Sequence, residues 1–415
     1  MTRRRVAFLH PDLGLGGAER LVVDAAVELS RFGHTVDMYT AYYDPNRCFD
    51  ETRSGEFAVV VAGGWFPRHV LGRLFALCAV VRCTLAAIYL AMRVWSGNIP
   101  DYDVVIVDQV AAVVPLLKLL LPGMRVLFYC HFPDLLLSQR GSFIKSLYRM
   151  PLDYLEEVAT GSADLILVNS NFTAGVFGQT FKRLAAQGVQ PAVLYPAAAI
   201  PAEAELQDAQ QAWREELPAD LVQHISKGPT FLSINRFERK KGIGLALTAL
   251  KELQQRQPGC AARLVLAGGY DARLAENREH LAELQQQARQ LGVEEAVAFL
   301  PSFSDRQRAL LLAACQAVVY TPQHEHFGIV PLEAMASGRP VIAVNNGGPT
   351  ESVLSGRTGQ LCEPTAAAFA DAYAQLLDAK VAAKMGAAAR KHVVGTFSRA
   401  AFGDRLNEHV QALAA

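Results

Sequence analysis

The chain has 415 residues, of which 51% are hydrophobic and 19% are charged. A chain of this length exceeds what one hydrophobic core usually organises, so we expect two domains. Its 40 basic residues balance its 40 acidic residues, which gives no reason to expect a nucleic-acid-binding protein. The seven cysteines are scattered and include no C-x-x-C pair, a pattern typical of buried thiols in a reducing compartment.

The first predicted element is a strand over Val6–His10, an apolar run that follows three arginines. A His-Pro-Asp sequence ends this run too early for the apolar region of a signal peptide. A loop with Gly14, Gly16 and Gly17 follows, and then a helical period of apolar residues. Strand, glycine loop and helix open many nucleotide-binding α/β units. Alone, this loop does not distinguish a phosphate contact from an ordinary turn.

Similar short apolar runs alternate with helical stretches in both halves of the chain. This alternation predicts an α/β protein with two parallel, doubly wound sheets, each covered by helices on both faces. The strands predicted after the first are Thr35–Tyr39, Phe57–Val61, Val104–Val107, Arg125–Cys130, Leu165–Val168, Phe231–Asn235, Leu264–Ala267, Val297–Phe299, Ala317–Tyr320 and Val341–Val344.

The composition shifts toward Ala, Pro, Glu and Gln between the two halves. We therefore predict an N-terminal Rossmann-like domain over 1–196, a linker over 197–228 and a C-terminal Rossmann-like domain over 229–396. The last stretch, 397–415, has a helical pattern and is predicted to pack back toward the first domain. Ligands bind beyond the carboxyl ends of the strands in such sheets, so we expect the two domains to face each other across a cleft.

The most apolar segment, His69–Trp95, is long enough for a transmembrane helix. Arg82 at its centre would cost about 2.5–3.5 kcal/mol on insertion scales, and removing a crossover helix would uncover the sheet. Arg82 and Arg93 fall within roughly 20° on a helical wheel, which predicts a basic stripe on an apolar cylinder. Three interpretations stay open: interfacial membrane contact, which we favour, a buried packing helix, and a membrane span.

Polar residues flank two of the predicted strands. His131 follows a strand that ends at Cys130 and is either a group near the reacting carbon or an ordinary part-buried histidine. Neighbours on a strand point to opposite faces, which argues against a Cys–His nucleophilic dyad. Asp101 and Asp103 resemble a metal-binding D-x-D motif, but they precede their strand and lie at the opposite edge of the sheet. We therefore predict no protein-bound metal.

The stretch Arg236–Lys241 follows another predicted strand and contains four cations within six residues. One interpretation is a solvated charge run. The other, which we favour, is a diphosphate clamp in which a guanidinium and an ammonium neutralise the departing group. A polar run that begins at Gly268 follows the next predicted strand.

The most informative stretch begins where a predicted buried strand ends, at Tyr320. Gly328 is predicted as a loop hinge, and Pro331 suits the first turn of a helix. Glu325 then precedes this helix and Glu333 lies inside it. The free N–H groups at the helix N-terminus form a site for an anion such as a diphosphate. The alternative is an ordinary helix with a solvated glutamate at each end.

These motifs resemble the family 4 retaining glycosyltransferases of GT-B fold, whose hallmark is E-x(7)-E, here Glu325 and Glu333. Over nearly the whole chain, the sequence is similar to the α-1,3/1,6-mannosyltransferases of dolichol-linked oligosaccharide assembly. E-x(7)-E specifies only the family, whereas longer strings are more specific. These strings are HPDLG from His10, HFPD from His131, FERKK from Phe237 and EHFGIVPLE from Glu325.

The resemblance implies an enzyme on the cytosolic face of the endoplasmic reticulum membrane. It would transfer mannose from GDP-mannose to mannosyl-chitobiosyl-diphospho-dolichol, first in α-1,3 and then in α-1,6 linkage, for protein N-glycosylation. The resemblance also implies two further partners. These are the membrane surface, contacted through 69–95, and other glycosyltransferases of the pathway. No cofactor and no nucleic acid are expected.

The resemblance also implies roles for individual residues. Arg236 and Lys241 would contact the donor diphosphate, Glu325 the hydroxyls of the donor sugar and Glu333 the ribose, while His131 would lie beside the reacting carbon. The implied catalytic residues are His131, Glu325, Arg236 and Lys241. The implied donor-binding residues are Gly16, Gly17, Arg236, Lys241, Gly268, Phe327, Gly328, Ile329, Val330 and Glu333.

A retained α configuration without an obvious protein nucleophile implies a front-face displacement. In this mechanism the leaving diphosphate oxygen helps to deprotonate the acceptor hydroxyl, while cations stabilise its charge. The alternatives are another GT-B hexosyltransferase, a nucleotide-sugar epimerase and a non-catalytic nucleotide-sugar-binding protein. A non-catalytic protein would have little reason to keep both glutamates and the cationic clamp. No residue pattern distinguishes GDP from UDP on physical grounds.

Overall fold

The structure of the protein is a computed structural model that describes residues 2–70, 74–137 and 143–415, with side chains omitted from 137 to 149. The chain forms two compact units. The N-terminal unit comprises Met1–Ala197 together with Arg399–Ala415, and the C-terminal unit comprises Ala198–Ser398. The apolar runs form parallel strands and the stretches between them form helices, so the prediction of two doubly wound α/β units is confirmed.

The sheet of the N-terminal unit has the strand order β3-β2-β1-β4-β5-β6-β7 among the described residues, with every pair parallel. Its central strands are buried because helices cover both faces. The two-residue β7 was not predicted because so short a strand has no periodic pattern. The strands are β1 (Arg5–His10), β2 (Thr35–Thr40), β3 (Ala58–Val61), β4 (Val104–Asp108), β5 (Arg125–Cys130), β6 (Leu165–Val168) and β7 (Ala192–Val193).

Helices connect these strands and pack on the two faces of the sheet. One apolar cluster joins β1 and β4 to α1, and a second joins the other face of the sheet to α2, α3 and α6. The helices up to the end of β7 are α1 (Gly17–Arg31), α2 (Phe75–Trp95), α3 (Val114–Leu120), α4 (Asp134–Leu137), α5 (Phe143–Gly161), α6 (Asn171–Thr180) and α7 (Lys182–Ala186).

Helix α2 forms most of the predicted segment His69–Trp95, of which residues 71–73 lie outside the described residues. By length and composition it could cross a membrane, and 39% of its most apolar window is buried. The two arginines of the predicted basic stripe are engaged within the unit. Arg82 is buried with Nη1 2.8 Å from Asp12 Oδ1, and Arg93 Nη1 donates to the hydroxyl of Tyr39 at 3.1 Å.

The predicted stripe thus gives the angle between the two arginines but not these partners. A helical wheel gives the angle between two side chains but does not say which neighbours they meet. Burial of Arg82 is tolerable because a carboxylate lies beside it. The exposed residues of α2 are apolar, namely Phe75, Ala76, Leu77, Tyr89, Met92 and Trp95.

The C-terminal unit repeats the same plan with the strand order β10-β9-β8-β11-β12-β13 and parallel pairing throughout. Strands β8, β11 and β12 are fully buried at the centre. Strand β13 was not predicted because its sequence is not strongly apolar. The strands are β8 (Thr230–Ile234), β9 (Arg263–Gly268), β10 (Val297–Pro301), β11 (Ala317–Tyr320), β12 (Val341–Val344) and β13 (Gly359–Cys362).

The stretch 197–228 was predicted as a linker. In the structure, residues 198–228 belong to the C-terminal unit and form two helices. Trp213 is buried, and Arg306 reaches back to Asp208 and Glu216. The many charged residues of this stretch form the outer face of α8. Their number makes the amphipathic pattern of the helix hard to recognise in the sequence. The helices of this unit are α8 (Glu203–Glu216), α9 (Ala219–Ile225), α10 (Gly244–Arg256), α11 (Ala275–Leu291), α12 (Asp305–Ala314), α13 (Ile329–Ala336), α14 (Pro349–Ser352), α15 (Ala366–Leu376) and α16 (Ala379–Phe397).

The last helix, α17 (Arg399–Leu413), belongs to the N-terminal unit. Phe402, Leu406 and Val410 join the apolar cluster of α1 and β1. Polar contacts fix its position as well, because Arg399 Nε donates to Glu28 Oε1 at 2.9 Å. The chain thus leaves the N-terminal unit after β7 and returns to it at its end.

In both sheets the strand order reverses at one point. This point lies between β1 and β4 in the N-terminal unit, and between β8 and β11 in the C-terminal unit. The loops that follow the two strands diverge there, which opens a crevice at their carboxyl ends where ligands of such folds bind. The fold therefore has two candidate ligand crevices, one in each unit.

Candidate active site

The crevice of the C-terminal unit holds an ion pair between two predicted site residues. Lys241 lies in the loop after β8, and its Nζ is 2.7 Å from Oε2 of Glu325, which lies in the loop after β11. The hydroxyl of Tyr320, the buried last residue of β11, also bonds to Glu325. The hydroxyl of Thr321 donates to the carbonyl oxygen of Lys241 at 2.8 Å and ties the two loops together. The pair is therefore held in place from both strands.

Burial and the charge of Glu325 raise the pKa of Tyr320 well above its usual range, so the phenol stays protonated and donates its hydrogen bond. No role for Tyr320 was predicted from its sequence motif. Its position as the last residue of a buried strand is the signal that could have identified it. Glu325 is thus a part-exposed carboxylate that is held in a fixed orientation.

The helix that follows Glu325 begins where the sequence predicts. Gly328 precedes α13 with a φ of 80°, in the region that favours glycine, and Pro331 is the third residue of the helix. Ile329 and Val330 form its first turn, so their backbone N–H groups are among those with no partner inside the helix. These N–H groups and the helix dipole can bind an anion through the backbone.

The side chain of Phe327 has a packing role. It is 6% exposed, and its ring lies 6.0 Å from that of Phe397. The backbone is thus the part of Phe327 that could contact a ligand. The sequence placed this residue in the donor site, and the structure limits the kind of contact that it can make.

A second loop, after β12, supports the Glu325 loop and was missed by sequence analysis. Gly348 N donates to the carbonyl oxygen of Glu325 at 2.8 Å, and Asn346 Oδ1 accepts from the backbone N–H of His324 at 3.2 Å. A Cβ added at Gly348 would lie 2.1 Å from the carbonyl oxygen of Phe327. Close backbone packing therefore requires glycine there, and two consecutive glycines after a buried strand were the available signal.

Glu333 lies on α13 and pairs with Arg308 of α12, whose Nη1 is 3.0 Å from Oε1. Burial raises the pKa of the Glu333 carboxyl, and the charge of Arg308 partly opposes this shift. The side chain of Glu333 is 22% exposed. It can therefore accept hydrogen bonds from the hydroxyls of a ligand such as a ribose. Arg308 was not identified from the sequence because it lies on a different helix.

The cations of Arg236–Lys241 separate into different environments. Arg239 donates to Glu279 and Glu283 of α11, and Lys240 Nζ lies 3.1 Å from Glu238. These two cations belong to surface ion pairs. Arg236 is largely exposed, with Nη1 2.9 Å from Glu238, whereas Lys241 is 12% exposed and points to Glu325. The stretch is thus not a uniform clamp, and Lys241 is the cation that the structure brings to a second predicted site residue.

Gly268 ends β9 directly beside the loop that carries Arg236. A Cβ added there would lie 1.6 Å from the carbonyl oxygen of Asn235 and 3.4 Å from the backbone nitrogen of Arg236. Glycine is therefore required by the packing of two strand ends, which is a different reason from contact with a phosphate. The close approach fixes the backbone from which Arg236 extends.

In the N-terminal unit, His131 follows β5 and its Nε2 lies 2.7 Å from Asp108 Oδ1. Asp108 is the fully buried last residue of β4, and its Oδ2 lies 2.8 Å from Nδ1 of buried His10 at the end of β1. Sequence analysis assigned a role to His131 but not to the other two. Both are polar residues at the end of an apolar strand, which was the signal that could have found them.

The glycine loop before α1 lies close to this group of residues. A Cβ at Gly16 would lie 2.2 Å from Oε2 of Glu19, while a Cβ at Gly17 would meet nothing within 4 Å. The charge of Glu19 also raises the pKa of His131. Glu19 therefore lies over Gly16 and acts on His131, so the two predicted site residues share a neighbour.

Two other motifs have no role in the candidate site. Asp103 Oδ2 accepts from the backbone N–H of Arg5 at 2.7 Å, at the start of the strands and thus at the opposite edge of the sheet. Burial raises the pKa of the Cys130 thiol well above its usual range, so this thiol is a poor nucleophile. The aspartates therefore lie away from the carboxyl ends of the strands, whereas Cys130 lies at such an end but is buried.

Two family models match the chain. The model described as "Glycosyltransferase Family 4" matches residues 15–182, and the model described as "Glycosyl transferases group 1" matches residues 220–392. Curated relatives cover nearly the full length. The "Alpha-1,3/1,6-mannosyltransferase ALG2" of Mus musculus is 48% identical over 98% of this chain and 96% of its own. That of Dictyostelium discoideum is 45% identical over 98% of both chains.

Solved structures share the fold at low sequence identity. A sucrose-phosphate synthase from Thermosynechococcus elongatus aligns with a TM-score of 0.71 at 22% identity, covering 99% of both chains. Anabaena HepE in complex with UDP and glucose aligns with a TM-score of 0.65 at 19% identity, covering 99% of this chain and 100% of its own. The arrangement of two Rossmann-like units therefore corresponds to the GT-B fold.

Proposed function

The chain belongs to the alpha-1,3/1,6-mannosyltransferase family of glycosyltransferases, and we propose that it transfers mannose from GDP-mannose to mannosyl-chitobiosyl-diphospho-dolichol. The first transfer forms an α-1,3 linkage and the second an α-1,6 linkage, in the assembly of the lipid-linked oligosaccharide for protein N-glycosylation. The observation that carries the proposal is the fixed Lys241–Glu325 pair beside the N-terminus of α13.

The C-terminal unit binds the nucleotide sugar. Glu325 accepts hydrogen bonds from the mannose hydroxyls, and Glu333 does so from the ribose. The diphosphate lies at the N-terminus of α13, where free N–H groups favour an anion. Lys241 and Arg236 neutralise it, and Lys241 also orients Glu325.

His131 is the proposed catalytic residue of the N-terminal unit. His131 has a fixed ring because Asp108 binds its Nε2, and its backbone carbonyl oxygen accepts from Asn169 Nδ2 at 3.1 Å. Both its side chain and its backbone are thus held before a substrate arrives. Such preorganisation lets polar groups act on developing charge without reorganising during the reaction.

The reaction proceeds by front-face displacement. The bond between the mannose carbon and the diphosphate oxygen breaks while the acceptor hydroxyl attacks from the same face, which retains the α configuration. The proton of the acceptor hydroxyl passes to the departing diphosphate oxygen. Lys241 and Arg236 stabilise the charge that develops on this oxygen, and the N–H groups of α13 assist.

Mass spectrometry of the lipid product tests the proposal. The protein is incubated with GDP-mannose and a dolichyl- or phytanyl-diphosphate trisaccharide that carries one mannose. We expect a gain of two hexoses, whose linkages are resolved with linkage-specific α-mannosidases. Glu325→Gln should abolish the gain, while Glu351→Gln, a change of the same kind elsewhere in the unit, should retain it. No gain with the wild-type protein, although GDP-mannose binds, would refute the assignment of the acceptor.

We also propose that α2 attaches the enzyme to the cytosolic face of the endoplasmic reticulum membrane. Its exposed side chains are apolar, and Met92 and Trp95 are 49% and 61% exposed. An exposed tryptophan at a helix end suits the interface between lipid and water. The position of α2 in the N-terminal unit would keep the enzyme near an acceptor that is itself a membrane lipid.

Flotation with liposomes tests this attachment. Met92→Ser combined with Trp95→Ser should reduce the fraction of protein that floats with the vesicles. Leu274→Ser, which removes an exposed leucine of the C-terminal unit, serves as the control and should float like the wild type. Equal flotation of all three proteins would refute α2 as the membrane contact.

A further inference from the structure

Three polar residues meet at the point where the strand order of the N-terminal sheet reverses. His10 ends β1, Asp108 ends β4, and His131 directly follows β5. His10 and Asp108 are almost completely buried, whereas the side chain of His131 is 25% exposed. Strand ends beside such a reversal surround the ligand crevice of this kind of fold. The group therefore extends from the interior of the unit toward the crevice.

Each oxygen of the Asp108 carboxylate binds a different imidazole. Oδ1 lies 2.7 Å from Nε2 of His131, and Oδ2 lies 2.8 Å from Nδ1 of His10. A carboxylate only accepts hydrogen bonds, so both of these ring nitrogens carry a proton. The hydrogen bond thus leaves Nδ1 of His131 as the ring nitrogen available to a ligand.

The surroundings of the two histidines determine which of them carries a positive charge. A buried carboxylate needs a nearby cation, since an uncompensated charge in the interior is costly. If His10 were charged, its Nε2 would become a buried N–H donor without an acceptor, because this atom is buried and has no hydrogen-bond partner. His131 can instead direct its second N–H toward the crevice. The charge therefore belongs on His131.

The acidic groups near His131 also favour its charged form. Burial alone would lower the pKa of His131, but the charge and hydrogen bond of Asp108 and the charge of Glu19 raise it overall. Although burial opposes ionisation, the two histidines lower the pKa of Asp108 to about 2. The ring of Tyr129 packs edge-on at 4.8 Å. Glu19, on α1, is the second acidic residue that acts on this imidazole.

We infer that Asp108 is the positioning residue of His131: it keeps His131 as an imidazolium with Nε2 turned inward, so that Nδ1–H is directed at an oxygen of the nucleotide sugar. His10 holds the other oxygen of Asp108 through its Nδ1. The inference rests on the proposed function only in naming the nucleotide sugar as the ligand. The protonation of His131 is a property of the protein alone.

Nuclear magnetic resonance of the full chain with ¹³C-labelled histidine measures this protonation without turnover. The signal that disappears in His131→Asn belongs to His131. We expect its titration midpoint in the wild type to lie above that of an ordinary histidine. Asp108→Asn should lower the midpoint by about one to three pH units, because it removes an adjacent opposite charge. A wild-type midpoint for His131 at or below that of an ordinary histidine would overturn the inference even if Asp108→Asn did not fold.

Two further variants make the measurement specific. Asp37→Asn changes a different strand carboxylate of the same sheet, which accepts from the hydroxyl of Tyr102, and should leave the midpoint unchanged. His10→Leu removes the other partner of Asp108. The carboxylate of Asp108 then depends more on His131, and the titration midpoint of His131 should rise. A midpoint that falls in His10→Leu, or that shifts equally in Asp37→Asn and Asp108→Asn, would contradict the inference.

Enzyme kinetics extend the test to the reaction. Asp108→Asn should lower kcat more than it changes KM for GDP-mannose, and its activity relative to the wild type should recover as pH falls from 8 to 6. A purely structural defect would reduce activity equally at every pH, and that result would overturn the role in positioning. If the wild type titrates as expected but transfers no mannose, the proposed function fails while the assignment of His131 and Asp108 stands.

Discussion

Lys241→Ala tests the donor site most directly. It removes the ammonium that lies 2.7 Å from Glu325 and that is only 12% exposed. Both proposed tasks of Lys241 are lost together, the neutralisation of the diphosphate and the orientation of Glu325. Loss of one preorganised group that stabilises developing charge typically lowers kcat about 10²–10³-fold, or ~2.7–4 kcal/mol. We expect a loss in this range for the first mannosyl transfer.

The effect on stability should be much smaller. The side chain of Glu325 is 29% exposed, so water compensates for much of the lost ion pair. We expect the free energy of unfolding to fall by no more than about 1 kcal/mol. A large kinetic loss with a small change in stability would identify a role in catalysis rather than in folding.

The assay measures kcat and KM for GDP-mannose from the rate at which the lipid gains its first hexose. Lys240→Ala is the matched control, because it removes a neighbouring lysine whose side chain is 68% exposed and paired with Glu238. The control should retain nearly full activity. A wild-type kcat in Lys241→Ala would refute the proposed role, and an equal loss in both variants would show that the overall charge of the loop matters instead.

Three other substitutions test separate parts of the structure. Gly348→Ala should raise the KM for GDP-mannose at least about ten-fold, because its Cβ would lie 2.1 Å from the carbonyl oxygen of Phe327 and must displace the donor loop; an unchanged KM would contradict this. Glu333→Gln should weaken GDP binding in calorimetry by about 1–2 kcal/mol, since it loses a charged hydrogen-bond acceptor, and equal affinity would exclude the ribose contact. Arg82→Met should lower the free energy of unfolding, measured in urea, by about 2–3 kcal/mol because Asp12 loses a buried partner. An unchanged urea midpoint would show that the ion pair makes no net contribution to stability.

Much of the fold could be predicted from local sequence patterns. Buried parallel strands are continuous apolar runs. Eleven strands were predicted, the first being Val6–His10, and in ten of them the last residue lies within one position of the last residue of the observed strand. The exception is Val297–Phe299, which extends to Pro301. The edge strands β7 and β13 were missed because a short or weakly apolar strand has no such run.

The candidate site was predictable where its motif is continuous in the chain. Glu325, Gly328 and Glu333 lie within nine residues, and the loop followed by a helix at Ile329–Ala336 is a local property of that sequence. The charge run around Arg239 was less informative. Its cations are alike in the sequence, and their different partners on α11 and on the Glu325 loop depend on packing between distant elements.

The sequence by itself determined the order of strands and helices, the two repeated α/β units, and the glycines and glutamates around α13. Hydrophobic periodicity and turn-forming residues act over a few positions, so they can be recognised from neighbouring residues in the sequence. Tertiary structure alone decided that Asp108 meets His10, 98 residues away, and His131, 23 residues away. It also decided that Arg82 turns toward Asp12. These contacts depend on which strand ends become neighbours, and this follows from the packing of the whole sheet.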